Sequence, residues 1–123
     1  MKKTKLHQII LYREKRKLWS WRYADHGGYC ATKADALNDA SISAGLHWVR
    51  FTDDTQTAKL GAGLTLCCTR VINSERRVDW ELSIVAIRGT TLASTNIFDC
   101  ETEAKCCAPA FVQKWKNEQN ETH

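Results

Sequence analysis

The sequence predicts an α+β domain in which an antiparallel sheet carries two helices packed on one face. Apolar side chains recur at every second position from Val78 to Ala86, as a half-buried strand requires. Arg88-Gly89 then supplies a turn, and the small and β-branched residues up to Phe98 predict a returning strand. Helically spaced apolar residues follow the strands in each half of the chain. This hairpin is therefore expected to organise the sheet.

The chain has the length of a single domain. Its 123 residues are enough to bury about two-thirds of the unfolded surface. We divide this domain into two units, residues 5–45 and 63–118, joined by residues 46–62. No apolar run reaches the roughly 18 residues that span a bilayer, and the basic start lacks the apolar segment of a signal peptide. We therefore expect no membrane partner and a cytoplasmic location.

The first unit is predicted to contain three strands and a helix. Residues 7–24 form a β-prone hairpin around a charged turn at residues 14–17. A second turn at residues 25–28 precedes a short third strand. Thr32 is a candidate N-cap because an acidic residue follows three positions later, and the helix is expected to run to about Ala44.

The rest of the chain adds strands and a second helix. Residues 46–52 and 64–72 each predict a strand, whereas the polar, glycine-containing stretch 55–63 between them is interpreted as a flexible connection. Asp99 is a candidate N-cap for a terminal amphipathic helix. Pro109 removes a backbone donor and is expected to kink or divide that helix, and the polar C-terminal residues are expected to fray.

The two units share an order of elements that suggests a degenerate tandem βββα repeat. Trp21 aligns with Trp80, and Trp19 and Tyr23 align with apolar positions of the same strand parity. An α+β domain also produces such coincidences without duplication, so both explanations stay open.

The residues Trp19-Ser-Trp-Arg22, Gly28 and Lys33-Ala-Asp-Ala36 resemble the short hairpin-plus-helix modules of the bacterial YegP-like repeat family. The resemblance covers about the first third of the chain, and the sequence lacks the Asn-Gly turn and the second clean copy that are typical of that family. Size and layout are also similar in type to small phage-borne proteins, including some anti-CRISPR inhibitors, with no matched motif. This similarity implies a protein that acts by binding.

Six cysteines raise the alternatives of disulfides and of a metal site. Because no signal sequence is present, the reducing cytosol is the expected compartment, and we predict free thiols. Cys67-Cys68 and Cys106-Cys107 are adjacent pairs, whereas zinc sites typically use C-x-x-C spacing. We therefore predict that the cysteines pack in the core and that no metal or other cofactor is bound; a zinc site completed by a histidine is the alternative.

No catalytic motif is recognisable in the sequence. Asp25 and His26 together with Cys30 would supply an oriented base and a nucleophile, but an Asp-His-Gly-Gly turn explains the same residues by backbone geometry. Neither G-x-x-x-x-G-K-[ST] nor G-x-G-x-x-G occurs. The sequence therefore predicts a protein that is not an enzyme.

The candidate site is the basic first hairpin. Residues 1–24 hold eight basic side chains and one acidic side chain, a net charge of +7, which leaves −3 for the rest of a chain whose total is +4. Such a concentration of positive charge favours recognition of phosphates or of an acidic partner. The side chains expected to make the contact are Arg13, Lys15, Arg16, Lys17 and Arg22.

Trp19, Trp21 and Tyr23 share one face of the second strand. If that face is exposed, the three rings would form a stacking platform for single-stranded nucleic acid. Because the helices have to cover the apolar face of the sheet, we expect it to be buried instead.

Two functions are compatible with these patterns. In the first, the protein docks on a host protein complex, as a phage or mobile-element inhibitor of nucleic-acid handling. We favour it because a net charge of +4 is modest for a dedicated nucleic-acid binder. In the second, the domain itself binds nucleic acid, with an affinity that falls steeply with salt.

Overall fold

A computed structural model describes residues 8–95 and 97–121. These residues form strands and helices in a mixed order, and the α+β class is confirmed. Along the chain the elements are β1 (Ile10–Lys15), β2 (Leu18–Tyr23), β3 (His26–Cys30), α1 (Lys33–Ser43), β4 (Val49–Arg50), β5 (Thr55–Gly61), β6 (Leu64–Ile72), β7 (Val78–Ala86), β8 (Thr91–Ser94) and α2 (Glu101–Glu121).

The strands form two antiparallel sheets, whereas the sequence predicted one. The first sheet has the order β1-β2-β3 and the second the order β4-β5-β6-β7-β8. The chain leaves the first sheet through α1 and returns as β4, which pairs with β5 and not with β3. Alternation of apolar residues identifies strands but not their partners, so it cannot count sheets. The tandem repeat stays a prediction, because the second sheet has five strands where the first has three.

The first sheet contains the predicted hairpin, with its turn at Arg16 and Lys17, where Lys17 adopts a left-handed backbone at φ 61°. β3 begins at His26, so the glycines predicted to form a turn lie within a strand. Gly28 lies opposite Trp21 in the register, and a Cβ at Gly28 would stand 2.7 Å from the indole Nε1. Glycine is therefore needed there to admit the tryptophan ring.

Helix α1 begins and ends close to its predicted limits. The Thr32 hydroxyl accepts a hydrogen bond from the backbone N–H of Asp35 at 3.1 Å, as an N-cap does. The helix lays Leu37 and Ala40 on one face of the first sheet, where they form a small buried cluster with Ile9. The half-buried side chains packed against this cluster are Leu11, Trp21, Tyr23 and Cys106.

The second sheet includes a strand where the sequence predicted a flexible connection. Residues 55–61 form β5, in which Ala58 is buried, and the following turn combines left-handed backbones at Gly61, Ala62 and Gly63. The strand was not recognised in the sequence because the Thr55-Gln-Thr segment has no apolar residue, and its inward side chain is the amide of Gln56. The glycines thus belong to a tight hairpin turn.

Helix α2 differs from its prediction at the start and in the middle. It begins at Glu101, and the carbonyl of Cys100 accepts the hydrogen bond from the N–H of Ala104, so Cys100 and not Asp99 occupies the N-cap position. Asp99 instead pairs with Arg77 at 2.6 Å. The helix runs through Pro109 to Glu121 without division. On either side of Pro109, Ala108 and Val112 are buried in the core against the sheet, so packing holds both turns in place.

The main core lies between the second sheet and α2. Leu66, Cys68, Leu82 and Ile84 point from β6 and β7 toward the helix and are fully buried. Alanines at 104 and 108 let the helix approach closely, and Val112 completes the contact. The half-buried aromatic side chains packed around this core are Trp48, Trp80, Phe98, Phe111 and Trp115.

The two sheets are joined through α2. The backbone N–H of Ile9 donates to the carbonyl of Cys106 at 3.0 Å, which fixes the start of the first sheet on the helix that covers the second. Each sheet thus keeps one face free of helices. Within the residues described, neither helix has the length and apolar character needed to cross a membrane.

Candidate binding face on the first sheet

The face of the first sheet that α1 leaves uncovered is here called the open face. Strand parity sets its composition, since side chains alternate between the helix side and this side. Tyr12, Ser20 and Tyr29 are register partners across the three strands. Ile10, Arg22 and Gly27 form the next row. The side chains and glycines of the open face line a groove of about 550 Å³: Ile10, Tyr12, Glu14, Ser20, Arg22, Gly27 and Tyr29.

The tyrosine row is the most unusual feature of the open face. Tyr12 is 65% exposed and Tyr29 is 69% exposed, and the small Ser20 lies between them on the central strand. The two tyrosines are two strand spacings apart, or about 10 Å at the backbone. The two exposed side chains therefore flank a shallow floor at Ser20.

The second row places a cation beside the tyrosines. Arg22 is exposed and lies two residues from Ser20 on the same face of β2. Its partner on β3 is Gly27, which has no side chain to cover the guanidinium, and its partner on β1 is Ile10, 53% exposed. Arg22 is thus available to a ligand seated in the groove.

The structure brings only part of the predicted basic set together. Lys15 pairs with Leu18, beyond an irregularity in β1, and lines a depression beside Tyr29. Arg16 and Lys17 lie in the exposed turn at the same end of the sheet. Arg13 pairs with Trp19 and so projects from the face that carries α1. Only Arg22 and Lys15 therefore reach the open face.

One acidic side chain also lies on this face. Glu14 Oε1 accepts a hydrogen bond from the Ser20 hydroxyl at 3.0 Å. This contact fixes Ser20 as the floor between the tyrosines. It also places a negative charge near Lys15, which follows Glu14 in the chain.

The tryptophan-bearing face is directed toward the helix, as expected from the sequence. Trp21 and Tyr23 are half-buried against the cluster under α1. Trp19 is half-buried too, and the Lys33 ammonium lies 5.4 Å from its ring centroid. The aromatic residues available for binding are instead Tyr12 and Tyr29. Sequence reasoning missed both. Counting back from a turn at residues 16–17 would pair Tyr12 with Trp21, and the irregularity between Arg13 and Lys15 shifts the partner of Tyr12 to Ser20.

A second polar cluster lies within the fold, and its charged groups are paired with each other. Lys105 is almost fully buried, and its Nζ lies 2.8 Å from Glu101 Oε1 and 2.5 Å from the side-chain oxygen of Gln56. Gln56 also donates to Glu101, and the Trp48 ring centroid lies 5.5 Å from the same ammonium. These partners neutralise the lysine, so the cluster serves the packing of α2 on β5.

Five cysteines, Cys30, Cys67, Cys68, Cys106 and Cys107, lie in surroundings that raise the thiol pKa. Burial and the Asp39 carboxylate, to which the Cys30 thiol donates a hydrogen bond at 3.2 Å, raise the pKa of Cys30 to about 11. Burial raises the pKa of Cys106 to about 11 and that of Cys68 to about 12. Thiols of this kind are protonated at neutral pH and are weak nucleophiles and weak metal ligands.

Among the described residues, neither the Asp25–His26–Cys30 triad nor a metal site is assembled. His26 and Cys30 stand at opposite ends of β3, and the Cys30 thiol is bonded to Asp39. All six cysteines are free thiols. Across residues 8–95 and 97–121, no three or more His, Cys, Asp or Glu side chains are grouped to hold a metal ion.

No protein-family model, curated protein or solved structure matches this chain. The resemblance to hairpin-plus-helix modules therefore stays a prediction. The site consists of two exposed tyrosines, the small Ser20 between them and the adjacent Arg22, all on the helix-free face of the first sheet.

Proposed function

We propose that this chain is a non-catalytic binding protein that docks on a macromolecular partner through the open face. The observation that carries the proposal is the row of Tyr12, Ser20 and Tyr29, in which two large aromatic side chains stand exposed on the helix-free side of a sheet. Tyrosine and arginine are the residue types that most often supply binding energy at protein interfaces.

The grouping of exposed apolar side chains supports the same conclusion. Single apolar residues on a surface are ordinary, but Ile10, Tyr12 and Tyr29 are clustered around one groove. A cluster of this kind loses its contact with water when a partner covers it, which favours association. Lys15 and Arg22 border the groove and add attraction for an anionic surface.

The raised thiol pKa values support a non-catalytic role. A cysteine nucleophile needs a thiolate at neutral pH, and the surroundings of Cys30, Cys68 and Cys106 shift each pKa the other way. The open face itself holds a hydroxyl and a carboxylate bonded to each other, with no histidine among its residues. Binding requires none of this chemistry.

The finer form of the proposal is an inhibitor of a host nucleic-acid-handling complex, of the kind carried by phages and mobile elements. It is supported by the small size of the fold, by the exposed aromatic groove and by the positive edge near that groove. Such a protein would act by occupying a surface that the complex needs, so inhibition would depend on the same side chains as binding.

Site-specific photo-crosslinking tests the docking face. We expect p-benzoylphenylalanine at position 29 to give a discrete crosslinked product in host cells. The same probe at position 51, where Phe51 is 74% exposed outside the open face, should give none. Equal products from both positions, or none from position 29 and from position 12, would show that the open face is not the docking face.

The inhibitor form has a test of its own. Host cells that express the protein should lose interference against an incoming plasmid, and the Tyr12→Ser/Tyr29→Ser variant should restore it. The variant Phe51→Ser is the matched control, because it also removes an exposed aromatic ring. Unchanged interference in cells that make the wild-type protein would exclude this form while leaving the binding proposal in place.

A further inference from the structure

We infer that the occupant of the open face is a single-stranded nucleic acid, with one base stacked on Tyr12 and another on Tyr29. This inference depends on the proposed function, because it names the partner of the same face. The first step is accessibility: both phenol rings are about two-thirds exposed, so a flat base can lie against each of them. Aromatic rings stack with every base, since all bases have a π face.

The spacing of the rings selects an extended single strand. The tyrosines lie on the two edge strands with β2 between them, about 10 Å apart at the backbone. Bases stacked on each other within a strand are only about 3.4 Å apart. Two bases that each lie on a tyrosine must therefore be separated from each other. Bases within a duplex cannot separate in this way, so double-stranded nucleic acid is disfavoured.

Two cationic side chains of the open face are placed where the phosphates of a nucleic acid strand could contact them. Arg22 lies on one side of the tyrosine row and Lys15 lies on the other, beside Tyr29. Each cation is displaced from the row by about 7 Å along the strand direction, as two residues of a strand require. A phosphate on either side of a stacked base would meet one of them. Arg16 and Lys17 extend the positive edge into the turn.

The low floor of the face fits a base and phosphate better than a protein side chain. Ser20 and Gly27 keep the floor low between the larger side chains, which leaves room for flat rings and for the arginine to reach a phosphate. The groove also holds the Glu14 carboxylate, and its hydrogen bond from Ser20 leaves its negative charge in place. Arg22 and Lys15 are the cations that offset this charge. The protein-docking alternative is an outcome of the experiment below.

Fluorescence anisotropy with labelled oligonucleotides tests the inference directly. The probes are oligo(dT) and oligo(rU) of about 15 nucleotides and a duplex of equal length, a length within the range that single-strand-binding folds cover. We expect both single strands to bind at about 50 mM salt and the duplex to bind more weakly. The logarithm of the association constant should fall linearly with the logarithm of salt, by about 0.7 for each phosphate contacted.

Variants on the open face separate stacking from charge. Tyr12→Ser and Tyr29→Ser should each weaken binding by between about 5-fold and about 100-fold, the range expected for one stacked base. Tyr12→Phe and Tyr29→Phe keep the ring and should retain binding. Arg22→Gln should reduce the salt slope by about 0.7.

Matched controls come from the second sheet and its surroundings. Phe51→Ser removes an exposed ring outside the open face, and Lys59→Gln removes an exposed cation from β5. Neither should change oligonucleotide binding. Every changed residue is exposed, so we expect all variants to unfold at the temperature of the wild type, and melting curves check this.

Three outcomes overturn the inference. Absence of oligonucleotide binding at about 50 mM salt, together with a protein crosslinked at position 29, would leave the docking face intact and make its partner a protein. Equal binding of duplex and single strand would exclude base stacking. Binding that survives Tyr12→Ser/Tyr29→Ser would place the nucleic acid elsewhere on the chain. Failure of both crosslinking and oligonucleotide binding would refute the proposed function itself.

Discussion

The uncovered faces of the two sheets differ in chemistry although both face the same solvent. On the second sheet, α2 covers the side of Leu66 and Leu82, and the other side mixes threonine and serine with charged residues and with Val71 and Val85. Its residues include Thr55, Thr57, Thr65, Thr69, Ser83, Thr91 and Ser94. On the first sheet, the corresponding side carries Tyr12, Tyr29 and Arg22. A helix-free sheet face can thus be built without large aromatic side chains, so exposure to water alone does not explain the two tyrosines of the first sheet.

The buried sides of the sheets differ as well. The second sheet contributes four fully buried large side chains to a continuous core with α2. The first sheet packs on a cluster of three buried residues, Ile9, Leu37 and Ala40, and relies on half-buried aromatic side chains around them. The first sheet is thus expected to be the less stable part of the chain, carrying the binding face on the weaker core.

The largest expected effect tests this difference in core strength. Leu82→Ala should lower the free energy of unfolding by about 4 kcal/mol, because Leu82 is fully buried among well-packed neighbours. Leu37→Ala should cost about 2 kcal/mol, since Leu37 lies at the edge of a small cluster. Urea denaturation measures both. Equal losses would mean that the two clusters are one core, and the distinction between the sheets would fail.

The next effect is confined to the first sheet. Gly28→Ala should lower the free energy of unfolding by about 1–3 kcal/mol, because the new Cβ would stand 2.7 Å from Trp21 Nε1 and force the ring to move. Hydrogen exchange should show faster opening of β2 and β3, with β6 and β7 unchanged. The double variant Trp21→Leu/Gly28→Ala should cost less than the sum of its parts, since the clash is removed. Additive costs would contradict this account.

Long alternating strands were the most predictable part of the fold. β7 coincides with the strand predicted from Val78 to Ala86, and the Thr32 cap of α1 is where the pattern places it. These elements depend on local sequence, namely period-two burial and a hydroxyl followed by an acidic residue. β5 was missed because Thr55-Gln-Thr carries no apolar signal, and its strand conformation depends on pairing with β6.

The charged residues of the candidate site were predictable from the sequence, whereas its exposed tyrosines were not. Positive charge is visible in the sequence, and Arg22 and Lys15 do reach the open face. The number of sheets and the side that α1 covers depend on tertiary packing, so the exposure of Tyr12 and Tyr29 could not be read from composition. Arg13 shows the limit most clearly, since one position along the strand moves it to the helix side.

Alkaline pH is expected to have a smaller effect on stability, and this effect arises in the main core between the second sheet and α2. Burial raises the pKa of Cys68 from 9.0 to about 12, so the folded chain favours the protonated thiol. Its stabilising contribution is present below pH 9 and is lost as the pH rises through 12. At about pH 10 this difference is worth about 1 kcal/mol. Above pH 9, the stability of Cys68→Ala should therefore fall less steeply than that of the wild type.

Urea denaturation between pH 8 and pH 11 measures that difference in slope, with Cys100→Ala as the control at an exposed thiol. Other groups that titrate in this range are common to all three proteins and cancel in the comparison. Parallel curves for wild type and Cys68→Ala would show that Cys68 is not buried among apolar neighbours, contrary to its place between β6 and α2.

The smallest expected effect on stability tests the contrast between the open face of the first sheet and the helix-free face of the second. Tyr12→Thr/Tyr29→Thr gives the first sheet the surface chemistry of the second and should change the free energy of unfolding by no more than about 0.5 kcal/mol, since both side chains are exposed. Binding should nevertheless be lost in the anisotropy assay, whereas Thr91→Ser, on the helix-free face of the second sheet, should leave binding unchanged. A loss of stability of about 2 kcal/mol or more would show that the tyrosines serve folding. In that case the aromatic face would be explained by packing, and the reason for assigning it a partner would disappear.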